Sequence, residues 1–188
     1  MKNLFLLTML CLLGYSSVAQ TKLTSFEPIA KKPKINALLS NANPNGTIAI
    51  SYTFNGKLYW NVVDKNGEVL VKKAINASTT KLSPRGSICA SNHFFHFYKN
   101  GDNQQIELFV SNDQGQNIQS SSIKVLDKKE RFIGTIADQN YFFLLALNRK
   151  EKALKVFQFD AGQRQFVMTT FELKDYLVEK LHKVNFVP

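Results

Sequence analysis

Residues 48–75 read IAISYTFNGKLYWNVVDKNGEVLVKKAI, and this stretch decides the fold because three alternating apolar patterns are joined in it by two turn signals. The dipeptide Asn55-Gly56 predicts a tight hairpin, since both residues favour the positive φ angles that a two-residue turn needs. The second turn, DKNG at residues 64–67, begins with a side chain that bonds its own backbone and ends with glycine. The stretch therefore predicts three consecutive antiparallel strands.

The same kind of turn recurs at residues 112–115 (NDQG) and 160–162 (DAG). The glycines of the three turns, Gly67, Gly115 and Gly162, are separated by 48 and 47 residues. Apolar runs flank each turn, and two further runs precede each hairpin. The predicted strands are 35–39, 48–54, 58–63 and 69–75, then 87–91, 93–98, 106–110 and 118–125, then 132–137, 141–147, 154–159 and 166–173. A period of about 47 residues predicts a repeat protein of three four-stranded units.

The repeat resembles the blades of β-propellers, in which four-stranded antiparallel sheets stack face to face around an axis. The resemblance covers residues 35–173 and rests on the period and the strand pattern. The run YFFLLAL at residues 141–147 is apolar at every position, so this second strand must be covered on both faces. The sequence predicts an all-β fold of about three propeller-like blades, and a single β-sandwich or barrel is the alternative.

The two ends of the chain predict export and a short helix. Residues 1–19 have the parts of a secretory signal, with Lys2 before a short apolar core and small residues before the cleavage site, and residues 20–34 form a basic leader. Apolar side chains at helical spacing predict a helix over 173–182, so that residues 174–188 form a C-terminal helix and tail. No other apolar run is long enough to predict a transmembrane segment in the mature chain.

Three blades are fewer than the four or more that propellers usually contain. An open arc of three exposes the apolar outer faces of its terminal blades to water. Two hypotheses follow from this count. The chain is the N-terminal portion of a longer propeller, or several copies associate to close the ring.

The chain carries 24 Lys and Arg against 14 Asp and Glu, a formal charge of +10 that is concentrated before residue 86. The densest positions are Lys31, Lys32, Lys34, Lys72 and Lys73. These lysines predict a weak patch for a polyanion or an anionic glycan, and the alternative is a solubilising surface. We do not expect a nucleic-acid partner, because the chain is exported and has only four arginines.

The sequence shows no catalytic or metal-binding constellation. His93 and His96 are three residues apart on a predicted strand and therefore point to opposite faces. Cys89 remains after removal of the signal and has the surroundings of a buried thiol. The sequence contains no glycine-rich phosphate loop, no nucleophile elbow and no paired Cys-x-x-Cys motifs. We predict no catalytic residue, no metal and no cofactor.

The function that these patterns favour is that of an exported, non-catalytic binding or scaffolding protein. Its protein or glycan partner would contact loops at one end of the blades, since loops carry most binding sites. The alternative is the N-terminal fragment of a glycan- or polymer-acting propeller enzyme whose catalytic residues lie partly in further blades. A truncated product without activity of its own is the third hypothesis.

Overall fold

The computed structural model describes residues 36–75, 82–101, 105–138 and 140–183. The predicted signal peptide (1–19), the basic leader (20–34) and the last five residues of the tail (184–188) lie outside the described residues. The elements are β1 (Asn36–Ala42), β2 (Ile48–Phe54), β3 (Lys57–Val63), β4 (Val69–Ile75), β5 (Leu82–Ala90), β6 (His93–Asn100), β7 (Gln105–Asn112), β8 (Gln119–Lys124), β9 (Glu130–Ala137), β10 (Phe142–Asn148), β11 (Ala153–Asp160), β12 (Gln165–Glu172) and α1 (Asp175–Lys183).

The strands form three four-stranded antiparallel sheets, each made of four strands that are consecutive in the sequence. We call them sheet 1 (β1–β4), sheet 2 (β5–β8) and sheet 3 (β9–β12). The first strands of the sheets are neighbours, because β1 packs beside β5 and β5 beside β9. The prediction of three propeller-like blades is confirmed, and the sheets do not close into the single barrel of the alternative, because strand pairing among the described residues stays within each sheet.

The hairpin turns have the chemistry that the sequence predicts. Asp64 Oδ1 accepts hydrogen bonds of 2.8 Å from the backbone N–H groups of Asn66 and Glu68. Asn112 and Asp160 bond the backbone of their own turns in the same way, at distances of 2.7–3.0 Å. By accepting hydrogen bonds from the backbone of their own turns, these side chains stabilise the tight turn conformation. They thereby keep the third and fourth strands of each sheet in register.

An aromatic core fills the gap between sheets 2 and 3. Phe97 of β6 stacks on Phe142 of β10 with ring centroids 3.9 Å apart, and it meets Phe159 of β11 edge-on at 4.9 Å. Burying such rings removes a large apolar area from water and favours this stacking of the two sheets. The buried members of this core are Ile88, Phe95, Phe97, Ile106, Leu108, Val110, Leu126, Phe142, Leu144, Ala146, Phe157 and Phe159.

A second core fills the gap between sheets 1 and 2. Trp60 of β3 is fully buried in it, as are Phe94 and Tyr98 of β6. The β6 strand therefore packs against sheet 1 with one face and against sheet 3 with the other, as alternation along a strand requires. The buried members are Ala49, Leu58, Trp60, Val62, Leu82, Cys89, Phe94, Tyr98 and Phe109.

The helix α1 covers part of the outer face of sheet 3. Val178 packs against Ile133 of β9 and Leu147 of β10, on the face opposite to sheet 2. At its start, the Asp175 carboxylate pairs with Lys152 Nζ at 2.8 Å. The predicted helix is confirmed. It covers part of the outer face of sheet 3, which the blade count predicts to be open. Over the described residues, no helix is long and apolar enough to cross a membrane.

Gly115 in the turn between β7 and β8 lies directly against sheet 1. Its φ angle is +71°, and a Cβ atom there would stand 2.1 Å from Cγ2 of Val62. Gly56 in the turn between β2 and β3 has a similar φ of +74°, but nothing lies within 4 Å of its Cβ position. The two glycines thus share the backbone requirement and differ in the space beside them.

We expect Gly115→Ala to destabilise the protein more than Gly56→Ala. Both variants carry the strain of a non-glycine residue at positive φ, about 1–2 kcal/mol. Only Gly115→Ala adds the clash with Val62, which lowers the free energy of unfolding by a further ~1–3 kcal/mol. Urea denaturation of both variants measures the difference, and equal losses would contradict the close approach of the two sheets.

Candidate functional site

The turns that join first to second and third to fourth strands lie at one end of the three sheets, because neighbouring strands are antiparallel. We call this the turn end. Two clefts open there. The first lies where the turns of all three sheets meet, and the second lies between sheets 2 and 3.

The first cleft has a volume of about 230 Å³ and is predominantly polar. Sheet 1 contributes the turn after β1, sheet 2 contributes two turns, and sheet 3 contributes the segment before β10. Among the described residues that line it, four are asparagines, and Asp113 supplies the one carboxylate. The lining residues are Asn43, Pro44, Asn45, Cys89, Ala90, Ser91, Asn92, Asp113 and Asn140.

The β1–β2 turn is shaped by the side chain of Asn43. Its Oδ1 accepts hydrogen bonds from the backbone N–H groups of Asn45 at 3.0 Å and Thr47 at 2.9 Å. The Gly46 N–H donates to the Asn43 carbonyl at 3.0 Å. The same bonding of a side chain to its own turn occurs in the three predicted turns. The sequence NPNG at residues 43–46 is typical of such a turn, although it is absent from the turns predicted above.

Ser91 and Asn92 form the two-residue turn between β5 and β6. Their φ angles are +48° and +57°, as a type I′ hairpin turn requires. Both side chains are exposed, so their polar groups are open to a ligand. The sequence pattern predicts Ser91 inside a strand (87–91), because Ser-Asn lacks the glycine that usually marks this turn.

Cys89 lies beside these turns and is only 7% exposed. Burial raises the pKa of its thiol, and the nearby negative charge of Asp113 raises it further. The thiol is therefore protonated and weakly nucleophilic at neutral pH. The prediction of a buried, unreactive thiol agrees with this geometry.

The second cleft has a volume of about 400 Å³ and shares the β7–β8 turn with the first. Asp113 lies on the side of the first cleft, whereas Asn112 lies on the side of the second. Arg164, from the turn between β11 and β12, donates a hydrogen bond of 2.7 Å from Nη1 to Oε1 of Gln119 on β8. The lining residues are His93, Val110, Asn112, Asn117, Ile118, Gln119 and Arg164.

A buried polar cluster lies between sheets 1 and 2, away from solvent. Ser51 Oγ of β2 is hydrogen-bonded to Nδ1 of His96 and to the hydroxyl group of Tyr98, both on β6. All three side chains are fully buried. A serine beside a histidine is the arrangement of an activated nucleophile, but a nucleophile must be reached by its substrate. We therefore interpret this cluster as structural.

Burial also sets the charge state of the cluster. It lowers the pKa of His96 to about 3, so the imidazole is neutral at physiological pH. It raises the pKa of Tyr98, and the hydrogen bond with Ser51 opposes this rise. His93 lies on the opposite face of β6 and lines the second cleft, so the predicted separation of the two histidines is confirmed. The pairing of His96 with Ser51 joins two sheets and has no local sequence signal.

An ion pair outside both clefts links β9 to β11. Lys155 Nζ bonds the buried carboxylate of Glu130 and also lies 3.3 Å from Glu151. The hydrogen bond with Glu130 is the main cause that raises the pKa of Lys155, against the effect of burial. Glu130 in turn accepts the Asp127 backbone N–H at 2.9 Å. These contacts close the turn before β9 and explain why a carboxylate is buried there.

The structure does not bring the predicted basic patch together within the described residues. Lys72 and Lys73 are both exposed on β4, but they are adjacent and therefore point to opposite faces of sheet 1. Lys31, Lys32 and Lys34 lie outside the described residues. The polyanion patch stays a prediction.

Comparison with known proteins adds no family to this description. The chain matches no protein-family model, and no curated protein matches it significantly. Among the described residues, no three His, Cys, Asp or Glu side chains are grouped so that they could hold a metal ion. The candidate site is therefore defined by the geometry of the turn end.

We expect acid to destabilise the protein through His96. The folded pKa of about 3 lies below the unfolded value of 6.5, so the unfolded state takes up the proton first. This part of the stability is complete above pH 6.5 and is lost as the pH falls towards 3. Between pH 6.5 and 4.5 the loss amounts to roughly 2–3 kcal/mol.

Urea denaturation at several pH values tests this expectation. His96→Gln is less stable at pH 7 but loses less stability between pH 6.5 and 4.5 than the unaltered protein. The matched variant His93→Gln, on the opposite face of the same strand, keeps the original loss. An acid dependence that survives in His96→Gln would show that other groups cause it.

We expect Cys89 to react slowly with iodoacetamide. In a chain that begins at Gln20, Cys89 is the single cysteine, so alkylation reports on it alone. At pH 8 the native protein reacts roughly tenfold more slowly than the urea-unfolded protein, because low exposure and protonation both suppress the reaction. Asp113→Asn removes one cause of the raised pKa and speeds the native reaction. Equal rates for native and unfolded protein would contradict the burial of the thiol.

Proposed function

We propose that this chain is an exported, non-catalytic binding or scaffolding protein with propeller-like repeats, and that it takes its ligand at the turn end. One observation carries the proposal: turns from all three sheets line the first cleft. A concave site to which several elements contribute is the usual form of a binding site. Loops held by packed sheets present their side chains without needing to order them on binding.

The chemistry of the first cleft favours a neutral, hydroxyl-rich ligand such as a glycan. The side chains of Asn45, Ser91, Asn92 and Asn140 are exposed at its rim. Each amide offers both a hydrogen-bond donor and an acceptor, and a sugar hydroxyl group can likewise both donate and accept a hydrogen bond. Asp113 adds an acceptor without making the cleft strongly charged.

Export is the proposed localisation and is supported by the sequence of residues 1–19. The positive residue, the apolar core and the small residues before Gln20 are the parts that a secretory signal needs. A glycan ligand fits this localisation, since cell envelopes and extracellular matrices are rich in polysaccharides. The proposed partner is therefore a surface or secreted glycan.

The enzyme hypothesis has less support. Hydrolysis of a glycosidic bond usually employs two carboxyl groups on opposite sides of the bond. Of the described residues that line the first cleft, only Asp113 carries a carboxyl group, and the second cleft is lined by none. A binding role requires no such pair.

Ring closure by self-association is a separate proposal, and the helix limits how it can occur. A further blade would stack on the outer face of sheet 3, where Val178 of α1 already packs against Leu147. Closure at that face requires α1 to move away. Light scattering of the exported protein measures its mass, and a monomer would count against closure.

A glycan array tests the proposed function. The chain from Gln20 to Pro188 is applied to neutral and acidic oligosaccharides, together with two matched variants. Asn92→Gly removes an amide from the first cleft and keeps a residue that tolerates positive φ. Asn55→Gly makes the same change at φ +47° in the β2–β3 turn, at the opposite end of sheet 1.

We expect Asn92→Gly to weaken glycan binding about 3- to 10-fold, as the loss of a neutral hydrogen bond implies. Asn55→Gly leaves the affinity unchanged. A bound glycan also slows the alkylation of Cys89 beside the cleft. Equal effects of the two variants, or a folded protein that binds no glycan, would refute the proposal.

A further inference from the structure

The second cleft differs from the first in charge. Among the described residues that line it, the one fully charged group is the guanidinium of Arg164, and the other polar groups are amides and the imidazole of His93. None of these lining residues carries a carboxylate, and none of the ion pairs found in the described part of the chain involves Arg164. A cleft with one cation and no counter-charge favours an anionic group.

Arg164 is held in place rather than freely solvated. It lies in the β11–β12 turn at a φ of +54°, which fixes the direction in which its side chain leaves the turn. Its Nη1 reaches across the gap between the sheets and donates to Gln119 Oε1 at 2.7 Å. One hydrogen bond occupies one of the five guanidinium N–H groups, so others remain to pair with a planar carboxylate.

His93 has an ordered ring on the same cleft. Its Nδ1 lies 2.7 Å from the Ser91 carbonyl oxygen, so Nδ1 carries the hydrogen and donates it. In the neutral ring the Nε2 atom is then a hydrogen-bond acceptor, to which a hydroxyl group of a ligand can donate. Ser91 itself lines the first cleft, so this hydrogen bond connects the walls of the two clefts.

The two clefts share the β7–β8 turn, and the charged groups on its two sides differ. Asn112 and Asp113 are consecutive residues of the β7–β8 turn, and each lines a different cleft. A ligand that spans the turn meets amides and the Asp113 carboxylate on one side and the Arg164 cation on the other, so an acidic sugar is favoured only on the side of Arg164. An oligosaccharide with both neutral and acidic sugars has this sequence of groups.

We propose that the second cleft is a subsite for an acidic sugar, with Arg164 binding its carboxylate and His93 Nε2 accepting a hydrogen bond from one of its hydroxyl groups, and that the turn end takes a uronate-containing glycan across both clefts. This inference rests on the proposed glycan-binding function and names the class of glycan. Val110 and Ile118 provide an apolar wall on which the C–H face of a sugar ring packs. Asn112, Asn117 and Gln119 are the amides for its hydroxyl groups.

A glycan fits the site better than an acidic peptide does. Extended peptides usually bind to β proteins by adding a strand to a sheet edge, where the main chain provides the hydrogen bonds. Both clefts lie at the ends of hairpins and are lined mainly by turn residues. The hydrogen-bonding groups there are mainly side-chain amides and not the open main-chain edge of a strand, which an extended peptide would need.

Calorimetric titration with oligogalacturonates tests the subsite. The comparison ligand is the same oligomer after methyl esterification, which removes the negative charges and keeps the sugar backbone. The chain from Gln20 to Pro188 is studied with Arg164→Gln, Arg164→Lys and the control Arg149→Gln. Arg149 follows β10 at the opposite end of sheet 3 and is exposed, so its replacement makes the same change in net charge.

We expect Arg164→Gln to weaken binding of the acidic oligomer about 10- to 100-fold, the range for losing a charge-assisted hydrogen bond. The same substitution leaves the affinity for the methyl-esterified oligomer unchanged. Arg164→Lys restores part of the affinity, because it keeps the charge but not the two-pronged geometry. Arg149→Gln has no effect, and added salt weakens only the acidic oligomer.

Each other result overturns the inference in a distinguishable way. If Arg164→Gln has no effect or affects both oligomers equally while Asn92→Gly still weakens glycan binding, the subsite is wrong and the proposed function stands. If poly-glutamate binds as tightly and depends equally on Arg164, the ligand is an acidic peptide and the assignment to a glycan is wrong. If no oligosaccharide binds at all, both proposals fail.

Discussion

The structure depends on the face-to-face burial of apolar sheets, because no blade can shield both of its faces alone. Sheet 2 shows this most clearly. Its strand β6 directs Phe94 and Tyr98 towards sheet 1 and Phe95 and Phe97 towards sheet 3, and all four rings are buried. A strand with two apolar faces gains stability only when a layer covers each face. The same physics explains α1, which covers part of the one face of sheet 3 that no other sheet reaches.

Stacking of the sheets also creates the clefts. Hairpin turns project beyond the packed strands, and where turns of neighbouring sheets approach one another they enclose space that side chains do not fill. Gly115 marks how close this approach is, since its turn lies against Val62 of the preceding sheet. The polar groups at the turn end are there for a local reason, because Asn and Asp close hairpins by bonding their own backbone. Turn chemistry thus supplies the amides that the proposed glycan site uses.

Polar groups inside the stack obey a different rule from those at the turn end. Ser51 is hydrogen-bonded to Nδ1 of His96 in the gap between sheets 1 and 2, and burial there keeps the imidazole neutral. At the turn end, the guanidinium group of Arg164 is exposed to solvent and also donates a hydrogen bond to Gln119. A serine–histidine pair in the core is therefore structural, whereas a single arginine at the rim of a cleft is a candidate for recognition. Burial decides which of these two interpretations applies.

The sequence by itself determined the strands, the three hairpin turns, the 47-residue repeat and the terminal helix, because alternation, Asx-Gly turns and helical spacing are local properties. It also separated His93 from His96, since three residues along a strand reverse the direction of a side chain. Only the tertiary structure placed Arg164 and His93 on the same cleft and Ser51 beside His96. Each of these pairs joins residues of different sheets that lie at least 45 positions apart, and no local pattern records which turns or faces meet. The contacts that define the candidate site arise from the packing of whole sheets, and packing is the one property that a single stretch of sequence does not specify.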